Sequence, residues 1–259
     1  AGINLIWHQR SVENSRRLGF YSALADAKIT VSEFCRRCLT PRMARDCLVI
    51  DNPFDIDDQL DRMQARQHLL EEYALPHDTY IVTFVGNFIK RKRPEFFVAC
   101  AAELRRRLDA NLFFPMLGDP RPDLRQEVEE AIQRAGIQDI CKILGARFPI
   151  EPWLAGSDVL LAPARAEPFG RTLIEAMLVG TPVVASNDGG NAEIIGSPSL
   201  GLLVPPDDKN AFVEAVASLL RDSERAKQIA ASAFEYARQR FSISRHASEV
   251  RKVYRAIRR

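Results

Sequence analysis

Two glutamates, Glu167 and Glu175, bracket the segment Pro168-Phe169-Gly170-Arg171-Thr172, and Leu173, Ile174, Met177 and Leu178 follow at helical spacing. The proline and glycine predict the mouth of a helix. Amides from Phe169 to Thr172 then lack an intrahelical partner and carry partial positive charge, which suits a phosphate. Gly170 lets the backbone come close to a ligand. On a helical wheel the four apolar residues share the core side, while Arg171 and Glu175 lie together away from it, one turn apart. Carboxylates accept hydrogen bonds from sugar hydroxyls, often two at once. A ligand with its diphosphate on the helix mouth would place one hydroxyl-bearing arm at Glu167 and the other at Glu175. A nucleotide sugar has that layout. Two glutamates in isolation fit better a loop carboxylate and an exposed Arg171–Glu175 pair, worth roughly a few tenths of a kcal/mol; the surrounding residues favour the ligand.

The elements that must hold this segment follow from hydropathy. Short apolar runs at 3–7, 27–31, 47–50, 79–86, 111–117, 142–144, 158–162, 182–186 and 201–205 read as strands, most of them separated by helix-like stretches. After Pro94, apolar positions 96, 97, 100, 101, 104 and 108 form one helical stripe. Helices at 207–221, 223–240 and 242–257 close the chain. Near-continuously apolar strands alternating with helices predict an α/β fold, with a parallel sheet covered on both faces. The expectation is a doubly wound, Rossmann-like domain over 54–240, preceded by a partial one over 1–53. Residues 241–259 would form a terminal helix packing back toward the first part. In such sheets ligands sit beyond the carboxyl ends of the strands. Gly86-Asn87, Gly118-Asp119, Gly145 and the Glu167 segment all fall there.

Composition narrows the class. With 46% apolar and 27% charged residues the 259-residue chain reads as globular, and a net charge of +2 implies no nucleic-acid partner. Basic clusters are local: Lys90 to Arg93, Arg105 to Arg107, and a tail with Arg251, Lys252, Arg255, Arg258 and Arg259. They admit peripheral contact with an anionic membrane surface, although no apolar run approaches the roughly 18 residues of a membrane span. There is no signal-peptide pattern, and five scattered cysteines suit a reducing compartment, so the expected location is cytoplasmic. Cys35 and Cys38 form a lone CxxC pair, short of the four ligands of a structural zinc site, and read as two small thiols on a helix.

The segment EPFGRTLIEAMLVGTPVVASNDGGNAEII (167–195) resembles the E-x7-E signature of retaining GT-B glycosyltransferases of family 4, the glycosyl transferases group 1. FVGNFIKRKRPEFFVACAAEL (84–104), KILGA, GSDVLLAPARAEPFG and GLLVPPDD resemble the family's donor domain, in the expected order. ADAKITVSEFCR and LVIDNPFD resemble the end of its acceptor-side domain. The resemblance implies transfer of a sugar from a nucleotide sugar, most simply of UDP or GDP, to a hydroxyl of a glycan or lipid-linked acceptor. No cofactor or metal is implied, and Asp55-Ile-Asp57 lies in a linker rather than at a strand end.

Residue roles follow from the same resemblance. Glu167 would hold the donor sugar's hydroxyls, and the amides of Phe169, Gly170, Arg171 and Thr172 would hold sugar and diphosphate. Glu175 would bind the ribose, and Lys92 would neutralise the leaving diphosphate beside the Gly86 turn. The nucleobase would lie near Arg147 and Phe148, and His8 would line the reaction cleft. Asn87 stands where many relatives have an arginine, so Arg91 or Arg93 would supply that charge. The first strands and glycine-rich loop of the acceptor-side domain have no counterpart in the sequence. The alternative is therefore a donor-domain piece that binds nucleotide sugar without efficient transfer. A nucleotide-sugar epimerase on the same architecture is a third reading, against which the glutamate spacing speaks.

Overall fold

The computed structural model describes residues 3–13, 15–55, 60–119 and 122–257; Asp57 of the linker and Arg258 and Arg259 of the tail lie outside them. The chain first lays down β1 (Ile6–Gln9), α1 (Arg16–Ala23), β2 (Ala27–Thr30), α2 (Glu33–Cys38), α3 (Pro41–Ala44) and β3 (Cys47–Val49). The three strands form a parallel sheet in the order β1-β2-β3. The first strand starts later than the apolar run at 3–7 suggests. Asp26 explains this: its carboxylate takes the Leu5 amide, while the Leu5 carbonyl accepts from Asp26 and Ala27, so pairing begins at Ile6 opposite Ala27. His8 consequently lies within the strand.

After α4 (Arg62–Glu72) come β4 (Tyr80–Val85), a 3-10 turn at Lys90–Lys92, α5 (Pro94–Arg107), β5 (Leu112–Leu117), α6 (Pro122–Ala135), β6 (Cys141–Gly145), α7 (Glu151–Ala155) and β7 (Val159–Ala162). Next are α8 (Arg171–Leu178), β8 (Val183–Ser186), α9 (Gly190–Ile194), β9 (Leu202–Val204), α10 (Lys209–Arg221), α11 (Ser223–Arg240) and α12 (Ile243–Ile257). Strands β4 to β9 form a second parallel sheet in the order β6-β5-β4-β7-β8-β9. Side chains of β4 alternate between faces, as the strand period requires. Val82 and Phe84 enter the core shared with α5, α6 and α10, while Ile81 enters the one under α4 and α7. Helices thus cover both faces, as the unbroken apolar strands require.

The order of strands locates a ligand site. From β4 the chain winds outward through β5 and β6, then crosses to the other flank of β4 and winds outward again through β7, β8 and β9. Loops leaving β4 and β7 diverge at that reversal and open a crevice at the carboxyl ends of the strands.

Polar contacts tie the two sheets together. The Glu193 carboxylate accepts from the amides of Glu33 and Phe34 at 2.9 and 2.5 Å, closing the open end of α2. Arg240 donates to Asp51 at 2.7 Å and to the Glu193 carbonyl at 2.8 Å. The terminal helix α12 then lies on the smaller sheet, with Val253 packed among Ile29 and Ile50 and the Ile257 carbonyl accepting from Asn4.

Candidate active site

The helix mouth forms as its sequence suggests, one step later. Gly170, at φ 91°, is the last residue before α8 and offers no side chain to cap it, so the amides at its start stay open. Phe169 lies before the helix. Its ring is buried, stacked on Phe54 and edge-on to Phe241, so only its backbone can face a ligand. Leu173, Ile174, Met177 and Leu178 are buried as expected, and Arg171 reaches Glu175 at 3.4 Å.

Glu167 is fixed from several sides. Gly86 follows β4, and the alkyl stem of Lys92 crosses it so closely that a Cβ at Gly86 would lie 3.1 Å from the lysine Cδ. The stem carries Lys92 Nζ to 2.9 Å from Glu167 Oε2, and Arg91 pairs with the same oxygen. Glu167 is only 8% exposed. Burial pushes its carboxyl up, but Lys92 and Arg91 together outweigh this and hold it below the ordinary carboxylate value. It is therefore an anion at neutral pH, able to accept hydrogen bonds but occupied by two cations. Its loop is equally constrained: the Arg165 amide donates to the Arg91 carbonyl, and the Ala166 amide to Asp188 Oδ2. The Glu167 carbonyl takes the Gly190 amide at 2.7 Å, and the Pro168 carbonyl takes Ser32 Oγ at 2.5 Å. Gly189 and Gly190 press against this loop so tightly that a Cβ on either would come within 2.8 Å of its backbone.

Glu175, on the other side of the helix mouth, borders a cavity of about 190 Å³ walled also by Phe54, Glu151 and Arg171. Burial raises its carboxyl above the ordinary value, and Arg171 offsets this only in part. Lys92, Glu167, Thr172 and Asn191 line a narrower cleft between β4 and β7. A larger cavity, about 470 Å³, opens beside Tyr80, Asp158 and Pro182, where the strands begin. It lies at the end of the sheet opposite Lys92 and Glu167, and the chemistry-bearing groups decide for the smaller cleft.

Other expected residues fall at varying distance from this centre. Asn87 is exposed, and its side-chain oxygen accepts from the Asp119 amide at 3.3 Å. Of the two arginines that could replace its missing charge, Arg91 reaches Glu167, while Arg93 turns away to Asp207 and lies over the Phe96 ring. Arg147 is exposed near Trp153, and Phe148 beside it is 98% exposed. His8 is half-buried, its pKa lowered by burial and then by Arg10 and His246, and its Nε2 lacks a hydrogen-bond partner among the described residues. No hydrogen bond or ion pair among the described residues joins it to Lys92 or Glu167. The residues missed by sequence reasoning are Ser32, Asp188, Gly189, Gly190 and Asn191. The glycine pair was the available signal, because adjacent glycines after a strand mark close backbone approach.

The profile of the family described as Glycosyl transferases group 1 matches residues 65–236. The chain is 32% identical over 142 residues to the lipopolysaccharide core biosynthesis mannosyltransferase LpsB of Rhizobium meliloti, covering 54% of this chain and 40% of LpsB. It is 30% identical over 200 residues to the alpha-D-kanosaminyltransferase of Streptomyces kanamyceticus, covering 76% of this chain and 50% of that enzyme. The chain thus spans half or less of the length of these relatives. The crystal structure of Anabaena HepE in complex with UDP and glucose superposes with a TM-score of 0.84 at 24% identity, over 97% of this chain and 71% of HepE.

Proposed function

Because the chain belongs to the glycosyl transferases group 1 family and has the GT-B fold, we propose that it moves a sugar from a nucleotide sugar to a hydroxyl acceptor, with retention, as a family 4 enzyme. One observation carries this reading. Lys92 and Glu167, from loops on either side of the sheet's reversal point, meet at 2.9 Å beside the open start of α8. A helix mouth and a lysine suit a diphosphate; a buried carboxylate suits the hydroxyls of a sugar.

The chemistry then follows from charge. The bond between the anomeric carbon and the diphosphate breaks, and negative charge grows on the leaving oxygen. Lys92, Arg91 and the amides of Arg171 and Thr172 meet that charge, which is electrostatic stabilisation of the transition state, and no metal requirement is expected. The leaving diphosphate accepts the proton of the acceptor hydroxyl, whose oxygen bonds to carbon on the face just vacated. Glu167, held by two cations, orients hydroxyls rather than attacking carbon. Glu175 takes the ribose, and Phe148 offers an open ring face to the base. His8 would lie on the acceptor side, and a glycan or lipid-linked hydroxyl is the expected acceptor.

Peripheral membrane contact, if made through a basic cluster, falls to the tail, where Arg251, Lys252 and Arg255 are exposed. Arg91 and Lys92 turn into the cleft, Arg93 pairs with Asp207, and Arg105, Arg106 and Arg107 pair with Asp139, Glu103 and Glu214. No helix among the described residues is long and apolar enough to cross a membrane.

Calorimetric titration with UDP and GDP tests the donor reading directly. One of the two binds, and Glu175→Ala weakens it by about tenfold, the loss of hydrogen bonds to a charged group. Binding of neither nucleotide sinks the proposal. Binding without sugar release, to an acceptor or to water, moves the reading to a donor-binding module.

A further inference from the structure

Asn191 lies in the first turn of α9 and is 1% exposed, yet its side-chain nitrogen has no hydrogen-bond partner among the described residues. Buried amide donors are almost always paired, so an orphan calls for an explanation. Its position offers one. Asn191 lines the cleft that also contains Lys92, Glu167 and Thr172. Its side-chain oxygen faces Gly170, 3.0 Å from where a Cβ on that glycine would sit, and the preceding Gly190 is bonded through its amide to the Glu167 carbonyl. The backbone that bears this carboxamide is thus anchored beside the backbone that carries Glu167.

Resting on the donor reading above, we infer that Asn191 is a sugar-reading residue, whose carboxamide donates a hydrogen bond to a hydroxyl oxygen of the donor sugar. The phosphates already have Lys92 and the start of α8, whereas a sugar hydroxyl needs both an acceptor and a donor. Glu167, an anion, can only accept. Asn191 supplies the complementary donor from the same cleft. Together they satisfy both halves of a hydroxyl, or one half each of two neighbours, and favour a neutral hexose that keeps those hydroxyls. A deoxy analogue leaves buried groups on the protein unpaired, the costliest kind of mismatch for a binding site.

The test is the ratio of affinities for nucleotide sugar and bare nucleotide, measured by calorimetry on the chain with UDP-glucose against UDP and GDP-mannose against GDP. In Asn191→Ala the nucleotide affinity stays within about twofold, while the ratio falls about tenfold, the worth of one good hydrogen bond. Asn191→Asp, which keeps the shape and replaces the donor by an acceptor, lowers the ratio at least as far. It also carries the test if the alanine variant fails to fold, with nucleotide binding as the check on folding. An unchanged ratio in a variant that binds nucleotide overturns the role of Asn191 and leaves the donor reading intact. Equal loss of both ligands in the aspartate variant overturns it too, in favour of a packing role. If the unaltered chain binds none of the four compounds, the donor reading falls and this inference with it.

Discussion

Lys92→Ala slows sugar release from the nucleotide sugar, to an acceptor or to water, by about a hundred- to a thousandfold, the usual cost of removing one charge-stabilising donor from a reaction centre. The lysine has few substitutes. Its ammonium is reached through a stem laid over Gly86, where a Cβ would crowd the lysine at 3.1 Å. Arg91 is the other cation on Glu167, but the side chain that lies over that glycine is Lys92. Lys92→Met separates the two contributions, since it keeps the packed stem and removes only the charge. It should fall nearly as far in rate while staying closer to the parent in stability. Glu167→Gln is the companion, because it retains nucleotide binding and loses rate by a similar factor. Rates within threefold of the parent for both Lys92→Met and Glu167→Gln would refute the placement of the reaction at this pair.

Gly118→Ala destabilises the protein more than an added methyl at Gly86, Gly170, Gly189 or Gly190. A Cβ at Gly118 would sit 2.1 Å from the Gly86 carbonyl oxygen and 2.5 Å from its carbon, at a φ of 145°. Neither partner can move aside, since both are backbone. The Gly86 amide bonds to the Leu117 carbonyl, the Gly118 amide to that of Gly145, and the Phe88 amide to that of Asp119. We expect a loss of about 3 kcal/mol, the upper end of overpacking, read from the urea midpoint at constant slope. Gly136→Ala is the control. It has a φ of 64°, and a Cβ there would meet nothing within 4 Å among the described residues, so the variant carries only conformational strain, about 1 kcal/mol. Equal losses in the two variants would mean that the crowding at Gly118 is relieved in some other way. Because Gly86 also seats Lys92, the folded fraction of Gly118→Ala should bind nucleotide less tightly.

What the sequence revealed about this site was the part written locally. The apolar spacing of α8 gave its buried face, and the Arg171–Glu175 pair follows from helical geometry alone. Unbroken apolar strands gave the parallel sheet and so the end at which ligands sit. Helix α11 falls where its spacing puts it. The short helices α3, α7 and α9 escaped, since five residues or fewer do not complete two turns of a period. Contacts between distant segments were also beyond reach. Nothing in KRKR distinguishes the arginine that turns to Glu167 from the one that turns to Asp207; the left-handed backbone of Arg93, φ 57°, makes that choice by redirecting the chain into α5. Phe169 reads as a ligand neighbour because of the motif around it. That reading concerns its backbone amide; its ring goes to Phe54 and Phe241, two residues that only the folded chain brings near.

The bond from the Gly190 amide to the Glu167 carbonyl has a kinetic side as well. The glycines at 189 and 190 bring backbone onto backbone there, leaving no room for a solvent molecule between the two segments. An amide in that position exchanges its proton for deuterium only when the segments part. Its exchange rate therefore reports the fraction of time the loop bearing Glu167 spends lifted from its seat, a motion that measurements on side chains would average away.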